Sequence, residues 1–241
     1  MALPKIQSSL FELIVPTTKE KLLFRPFTVK EEKILLFAKQ SGENADIERS
    51  VKQIVNNCVQ GKIDVNKMSS VDLLYLFLKI RAKSSDNVIK LKYRDLEDDE
   101  VRTFEVDLEE IEVQFSENYN PKIKLTDSIG IIMRPPTVEF TSETNNILTK
   151  LQTNEDPIGD FLDEFIIHCL EKIYDEENVY LASDSTKEEL KEFLNSLPAD
   201  TYPKIRDFFN SLPKIEHVIS YTNSKGSERQ IVLNKVSDFF S

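Results

Sequence analysis

Apolar positions change their period several times along the chain, and each change marks an element. Leu10–Val15 and Leu22–Phe27 are short apolar runs on either side of the polar turn Pro16–Glu20, the pattern of a β-hairpin whose second strand stops at Pro26. The spacing then lengthens to that of helices. Thr28 and Glu31 make a capping box, in which each side chain satisfies an orphan backbone N–H at the helix start. Ile34, Leu35, Phe37 and Ala38 form the predicted apolar face of that helix, and Ser41-Gly42 its stop. Ile47, Val51, Ile54, Val55 and Cys58 carry the 3.6-residue rhythm through a second helix toward Gly61. Met68–Lys83 is the most apolar helix, with Ser69 and Asp72 as a further capping box. Leu73, Leu74, Tyr75, Leu76, Phe77, Leu78 and Ile80 leave it almost no polar side, so it belongs at the centre of the N-terminal fold.

Strand signals follow. Val88, Leu91 and Tyr93 lead into the acidic segment Arg94–Glu100, and Val101, Phe104 and Val106 lead out. Alternation is clearest over Ile111–Phe115, the pattern of a half-buried strand. Pro121–Leu125 and Ile129–Met133 complete a predicted sheet of four or five short strands, closed by Arg134-Pro135-Pro136. Beyond this point helices dominate. Asp156-Pro157 is a helix start, and Ile158, Phe161, Leu162, Phe165, Ile166, Cys169, Leu170 and Ile173 predict an amphipathic helix of four turns. Ser185 or Thr186 caps the next helix, through Leu190, Phe193 and Leu194. FLNSLP at Phe193–Pro198 returns as FFNSLP at Phe208–Pro213, which reads as two successive helices with the same proline-terminated exit. His217–Tyr221 and Arg229–Leu233 around Asn223–Ser227 form a final hairpin. The expected class is α+β: an N-terminal hairpin and helices with a small antiparallel sheet (1–136), then a mainly helical part ending in a β-hairpin (137–241), the two packed as one unit.

Composition narrows the chemistry. The 241 residues suffice for one large domain or two small lobes, with 40% hydrophobic and 30% charged residues as in ordinary globular proteins. Five glycines leave few loops able to cradle phosphate, which needs backbone tolerant of positive φ. The net charge of −11 repels a phosphate backbone, so nucleic acid is not an expected partner. Cys58 and Cys169 lie inside apolar periodic segments and read as free buried thiols, consistent with a reducing compartment. MALPKIQSS lacks an apolar signal core and no segment approaches the ~20 apolar residues of a membrane span. A cytoplasmic protein, or one bound to a particle after cytoplasmic synthesis, is expected, with no membrane partner.

Two groups of residues invite a chemical reading. Asp95, Glu97, Asp98, Asp99 and Glu100 are dense enough for a metal site or an acid/base pair. A calcium loop would need a glycine at its sixth position, and neighbouring carboxylates on an extended chain point to opposite faces. The segment therefore reads as a solvated hairpin tip, whose charges also discourage edge pairing. A carboxylate-based hydrolase using Asp95, Asp98 and Glu100 is the alternative, and requires those side chains to converge in a cleft. His168, His217 and the two cysteines are too scattered for a zinc site, so no metal or cofactor is expected. No GxSxG, P-loop or dinucleotide pattern occurs, and no small-molecule substrate is expected. The second group is the pairs Phe208-Phe209 and Phe239-Phe240. One ring of each pair can face the core; the pairs read either as core residues throughout or as a partner-docking surface formed by the ring that cannot.

The ordered segments LFRPFTVKEEKILLFAKQ, VDLLYLFLKIRAKSSDNVIKL, VDLEEIEVQF, KIKLTDSIGIIMRPP and FFNSLPKIEHVISYTNSKGSERQIVLNKVSDFF resemble the baseplate hub proteins of T4-like tailed bacteriophages, which include a hub subunit and a related hub assembly factor. The likeness runs from about Leu10 to Phe240. Its most specific pieces are Arg25-Pro26-Phe27 with Lys30-Glu31-Glu32-Lys33, Arg81-Ala82-Lys83-Ser84, and Phe208-Phe209 with Leu212-Pro213-Lys214. The resemblance implies a non-enzymatic subunit or chaperone-like assembly factor of the tail, present in the host cytoplasm during assembly and in the virion baseplate if retained. Other hub or tape-measure proteins would be its partners, held near Phe208, Phe209, Phe239 and Phe240. Some relatives carry cysteine pairs suggestive of zinc knuckles in the turns near Tyr93–Glu100 and Tyr221–Glu228. Here those turns read YRDLEDDE and YTNSKGSE, and are expected to hold shape by strand pairing alone.

Overall fold

The computed structural model describes residues 8–84, 87–142 and 158–240, with side chains from residue 162 onward in the last stretch. The elements are β1 (Phe11–Ile14), β2 (Lys21–Phe24), α1 (Val29–Ser41), α2 (Asn44–Cys58), α3 (Ser70–Ala82), β3 (Val88–Arg94), β4 (Val101–Asp107), β5 (Lys122–Lys124), β6 (Gly130–Met133), α4 (Ile158–Cys169), β7 (Leu170–Tyr174), β8 (Val179–Leu181), α5 (Lys187–Ser196), α6 (Thr201–Asn210), β9 (His217–Thr222) and β10 (Glu228–Leu233). The mixture of helices and small antiparallel sheets makes the protein α+β. It forms two compact units: Met1–Gln114 with Lys214–Ser241, and Phe115–Pro213. The division expected from composition, after Pro136, falls between β6 and β7, which pair with one another in the second unit.

In the first unit, hairpin β1–β2 pairs Phe11 with Phe24, and α1 begins three residues after Pro26. The Glu31 carboxylate reaches back to the Thr28 N–H (2.9 Å) and hydroxyl (2.6 Å), the capping box that the sequence predicts. Gly42 ends the helix at φ 67°, a left-handed backbone that a β-carbon would resist. The helix buries Leu35 and Ala38, but Phe37 is 71% exposed, contrary to its expected place on the core side. All five predicted apolar positions of α2 are buried. Helix α3 buries nine of its 13 residues, with Leu76, Phe77, Leu78 and Ile80 at 0% exposure. Ser69 caps it through the Asp72 N–H (3.1 Å), and Asp72 also holds the β1–β2 turn through the Thr17 N–H (3.1 Å) and hydroxyl.

The C-terminal turn Val236–Phe239 completes this core. Phe239 is fully buried, Phe240 stacks on Phe77 at 5.4 Å, and the Arg81 guanidinium donates to the Phe239 carbonyl. The predicted strand over Ile111–Phe115 does not form. Its side chains do alternate in burial as far as Gln114, but its backbone finds only an isolated bridge from Gln114 to Lys214. Strands β3 and β4 therefore stand as a two-stranded hairpin rather than as part of a larger sheet.

The second unit is built on the antiparallel sheet β5-β6-β7-β8. Helix α4 stops at Cys169, and Leu170–Tyr174, expected as its last turn, is strand β7, aligned with β6 through Ile131 and Ile173. Gly130 faces Tyr174 across that pair, and a β-carbon there would lie 2.1 Å from the Tyr174 hydroxyl, so only glycine lets the ring lie down. The Asp156-Pro157 start lies outside the described residues. Thr186 and Glu189 form the capping box of α5, and α5 ends at Ser196 and α6 at Asn210, each before the Leu-Pro of the repeated exit. Ile131, Met133, Ile166, Cys169, Leu170, Leu190, Ile205 and Phe208 are central to an apolar core.

Candidate functional site

The acidic segment is a tight turn built from its own backbone. Asp95 N–H donates to the Glu100 carbonyl (3.0 Å), and Asp99 N–H donates to the Asp95 carbonyl (2.9 Å) with Asp99 at φ 60°. Asp95 and Asp98 each accept a backbone N–H two residues on, from Glu97 (2.8 Å) and Glu100 (3.0 Å), the geometry that favours short carboxylates in turns. The β9–β10 turn is organised likewise: Asn223 Oδ1 accepts from the Lys225 and Ser227 N–H groups, and Gly226 takes φ 83°.

These two turns meet, although about 126 residues separate them. Tyr221 donates its hydroxyl to Asp95 Oδ2 at 2.7 Å. Glu97 receives Asn223 Nδ2 (2.6 Å), Ser227 Oγ (3.2 Å) and the Arg229 guanidinium (2.6 Å), while its carbonyl receives Lys225 Nζ (2.6 Å). Asp98 accepts from the Ser224 N–H (2.9 Å) and hydroxyl (2.6 Å), and Arg102 clasps both its oxygens. The Arg102 guanidinium in turn lies 5.4 Å from the centre of the Tyr221 ring, which packs on Phe104 at 5.1 Å.

The wet hairpin tip expected from sequence is therefore not found at Asp95, which is 2% exposed, or at the Asp98 side chain, 4% exposed. Asp99 and Glu100 are the solvated members. Nor do the turns hold shape by strand pairing alone, because hydrogen bonds between them bind one to the other. The donor set does not suit a zinc knuckle. It consists of oxygens already engaged, those of Asp98 by Arg102, one of Glu97 by Arg229 and those of Asp95 by Tyr221 and the Glu97 N–H, with the guanidinium charges in the positive role. Among the described residues no group of three or more His, Cys, Asp or Glu is placed to hold a metal ion.

Electrostatics point the same way. The hydrogen bond from Arg102 holds the Asp98 carboxyl far below the usual range, with Ser224 adding to it. Asn223 and Ser227 lower Glu97, and the Glu97 N–H and Tyr221 lower Asp95. Burial and donation to Asp95 push the Tyr221 hydroxyl up to about 12. A general acid at neutral pH needs a raised carboxyl, and these three are depressed.

The remaining candidates have structural surroundings. Burial raises the Cys58 thiol to about 11 and the Cys169 thiol to about 12, and both are free and buried. Burial, then Arg134, lowers His168 to about 4, and its ring stacks on Phe140 (4.0 Å) with Nε2 at 2.9 Å from the Thr137 hydroxyl. Phe208 and Phe239 are core rings at 3% and 0% exposure, while Phe209 and Phe240 are half-buried. The first pair lies in the second unit and the second pair in the first. A hollow of about 260 Å³ in the second unit is lined by Ile129, Ile173, Tyr174, Tyr180 and Phe193. The acids on its wall bind their own chain, Asp175 through the Glu177 and Asn178 N–H groups and Glu189 through that of Thr186.

Sequence reasoning missed the other charged centre. Arg25 grips Glu31 through two guanidinium nitrogens, each at 3.1 Å, and also donates to the carbonyls of Pro26 (2.8 Å) and Asn57 (3.1 Å). Burial alone would raise the Glu31 carboxyl, but hydrogen bonds from Arg25 and Thr28 outweigh it and hold it at about 2. The pair fastens the end of β2 to the start of α1 and the last turn of α2. Its sequence signal, an arginine before proline and a glutamate six residues on, coincides with one of the most specific pieces of the resemblance.

A family model described as T4 bacteriophage base plate protein matches residues 8–241. No curated protein and no solved structure matches the chain.

Proposed function

From the premise that the chain belongs to the T4 bacteriophage base plate protein family, a family of tail structural proteins, we propose that it builds the hub of the baseplate, as a subunit or as a chaperone-like assembly factor. It acts by contact with neighbouring tail proteins, hub or tape-measure components, rather than by turnover. The observation that carries this reading is the fate of the acidic turn. Its buried carboxylates are bonded to the chain's own donors and lowered in pKa, which suits a rigid joint and leaves them no proton to exchange at neutral pH. Against the hydrolase alternative built on Asp95, Asp98 and Glu100 stands the engagement of Asp95 by Tyr221 and of Asp98 by Ser224 and Arg102, whereas a glycosidase uses two open carboxyls across a cleft.

Partner docking by the phenylalanine pairs is assigned to Phe209 and Phe240, the half-buried member of each, since a ring with one free face can bury it on association. Quantitative mass spectrometry of purified particles and of assembly intermediates tests the proposal. The chain at fixed stoichiometry in finished baseplates identifies a subunit. Its presence only in intermediates identifies an assembly factor, and its absence from both overturns the reading.

A further inference from the structure

Helix α1 has two apolar sides. Leu35 and Ala38 face the core, while Val29, Leu36 and Phe37 are 72%, 51% and 71% exposed on the opposite side. Positions 29, 33, 36, 37 and 40 recur at the spacing that places residues on one helical face. A single exposed leucine is ordinary, but three large apolar side chains on one helical face are not. Among the described residues, the only other helical position with a comparably exposed large hydrophobic is Tyr202.

The surroundings of this face specify its occupant. Lys33 lies within it, with Lys30 beside Phe37 and Lys39 beyond Leu36. All three are exposed and form no salt bridge among the described residues, and one acid, Glu32, shares the border. On a chain of net charge −11 this is a local excess of free cations around a hydrophobic strip. An isologous contact between two copies would set these lysines against each other, which argues against a symmetric dimer through α1.

We infer that the outer face of α1 is the docking site for an acidic amphipathic helix of another baseplate protein. The apolar side of that helix covers Val29, Leu36 and Phe37, and its carboxylates meet Lys30, Lys33 and Lys39. The strip from Val29 to Phe37 spans roughly 12 Å, which matches about two turns of a partner helix. This inference rests on the assembly reading above and names a partner class for it.

Site-specific photo-cross-linking tests it in assembling phage. A benzophenone amino acid replaces Phe37 in the full chain, and the cross-linked peptide is identified by mass spectrometry. The expected adduct is an acidic, helix-forming segment of a different baseplate protein. An adduct with a second copy of the chain, with a segment of the same chain or with lipid overturns the docking inference. So does the absence of any adduct in particles that contain the chain, which leaves the assembly reading intact. Absence of the chain from particles and intermediates alike overturns both. Lys30→Glu with Lys33→Glu, with Phe37 left in place, is expected to lower incorporation into baseplates roughly tenfold at low salt while leaving the thermal melt unchanged. Unchanged incorporation of this double variant overturns the role given to the lysines.

Discussion

The two compact units bury different things. In the first, the buried polar residues are Glu31, Ser69, Asp72, Asp95 and Asn223; in the second they are the hydroxyl residues Thr137, Thr201 and Ser211. Three acidic residues buried as a whole, Glu31, Asp72 and Asp95, thus belong to the first unit beside the enclosed Asp98 side chain, and among the described residues the second unit has no wholly buried acid. Each carboxylate ties together segments that hydrocarbon packing alone would leave free to slide. Asp72 holds the first hairpin, Glu31 joins β2 to α1 and α2, and Asp95 joins the two hairpin turns. The second unit instead gets its alignment from a four-stranded ladder with an apolar core on it. Short two-stranded hairpins define few contacts of their own, so directional charged bonds supply the geometry that a larger sheet would.

That contrast can be broken by experiment. Phe239→Ala in the first unit and Phe208→Ala in the second should be equally severe, each costing about 3–5 kcal/mol by chemical denaturation, because both delete buried aromatic packing. Phe240→Ala, which removes a half-buried ring, should cost clearly less than Phe239→Ala. Glu31→Ala should cost about 3 kcal/mol, because it strands the Arg25 guanidinium in a partly buried place. A loss under about 1 kcal/mol would mean that the buried charges are incidental and the contrast empty.

Acid should separate the units. Glu31 falls from an ordinary 4.5 to about 2 in the fold, so its contribution is complete above pH 4.5 and disappears as the pH drops through 2. Asp95, Glu97 and Asp98 are shifted in the same direction and act in the same sense. Hydrogen exchange read peptide by peptide should show α1 and the paired turns opening before β6 and β7 on acidification. The reverse order would sink the comparison. Tyr221→Phe should give the smallest effect, a drop in melting temperature of a few degrees at pH 7 that vanishes once Asp95 is protonated.

Local signals were legible in the sequence to the extent that their causes are local. The capping box at Thr28, the α5 cap (Thr186 of the two candidates), the α2 stripe, the two proline-terminated exits and the last hairpin all formed where their residues predict. Periodicity failed where it reports sidedness rather than hydrogen bonding. Ile111 and Val113 turn inward with no partner strand beside them, whereas Leu170 and Ile173 suit a helix stripe equally well until β6 pairs with their backbone. Phe37 illustrates a third limit. A helix can carry apolar residues on two sides, and the pattern does not say which side the core takes.

The sequence by itself determined the α+β class, most element starts and stops, and the membership of the greasy helix α3 in the core, because capping and periodicity act within a few residues. Only the tertiary structure decided what the carboxylates of the acidic segment are for. Their partners, Tyr221, Asn223, Ser224 and Arg229, lie about 126 to 132 residues away, and nothing in a local window distinguishes a carboxylate facing water from one facing a distant hydroxyl.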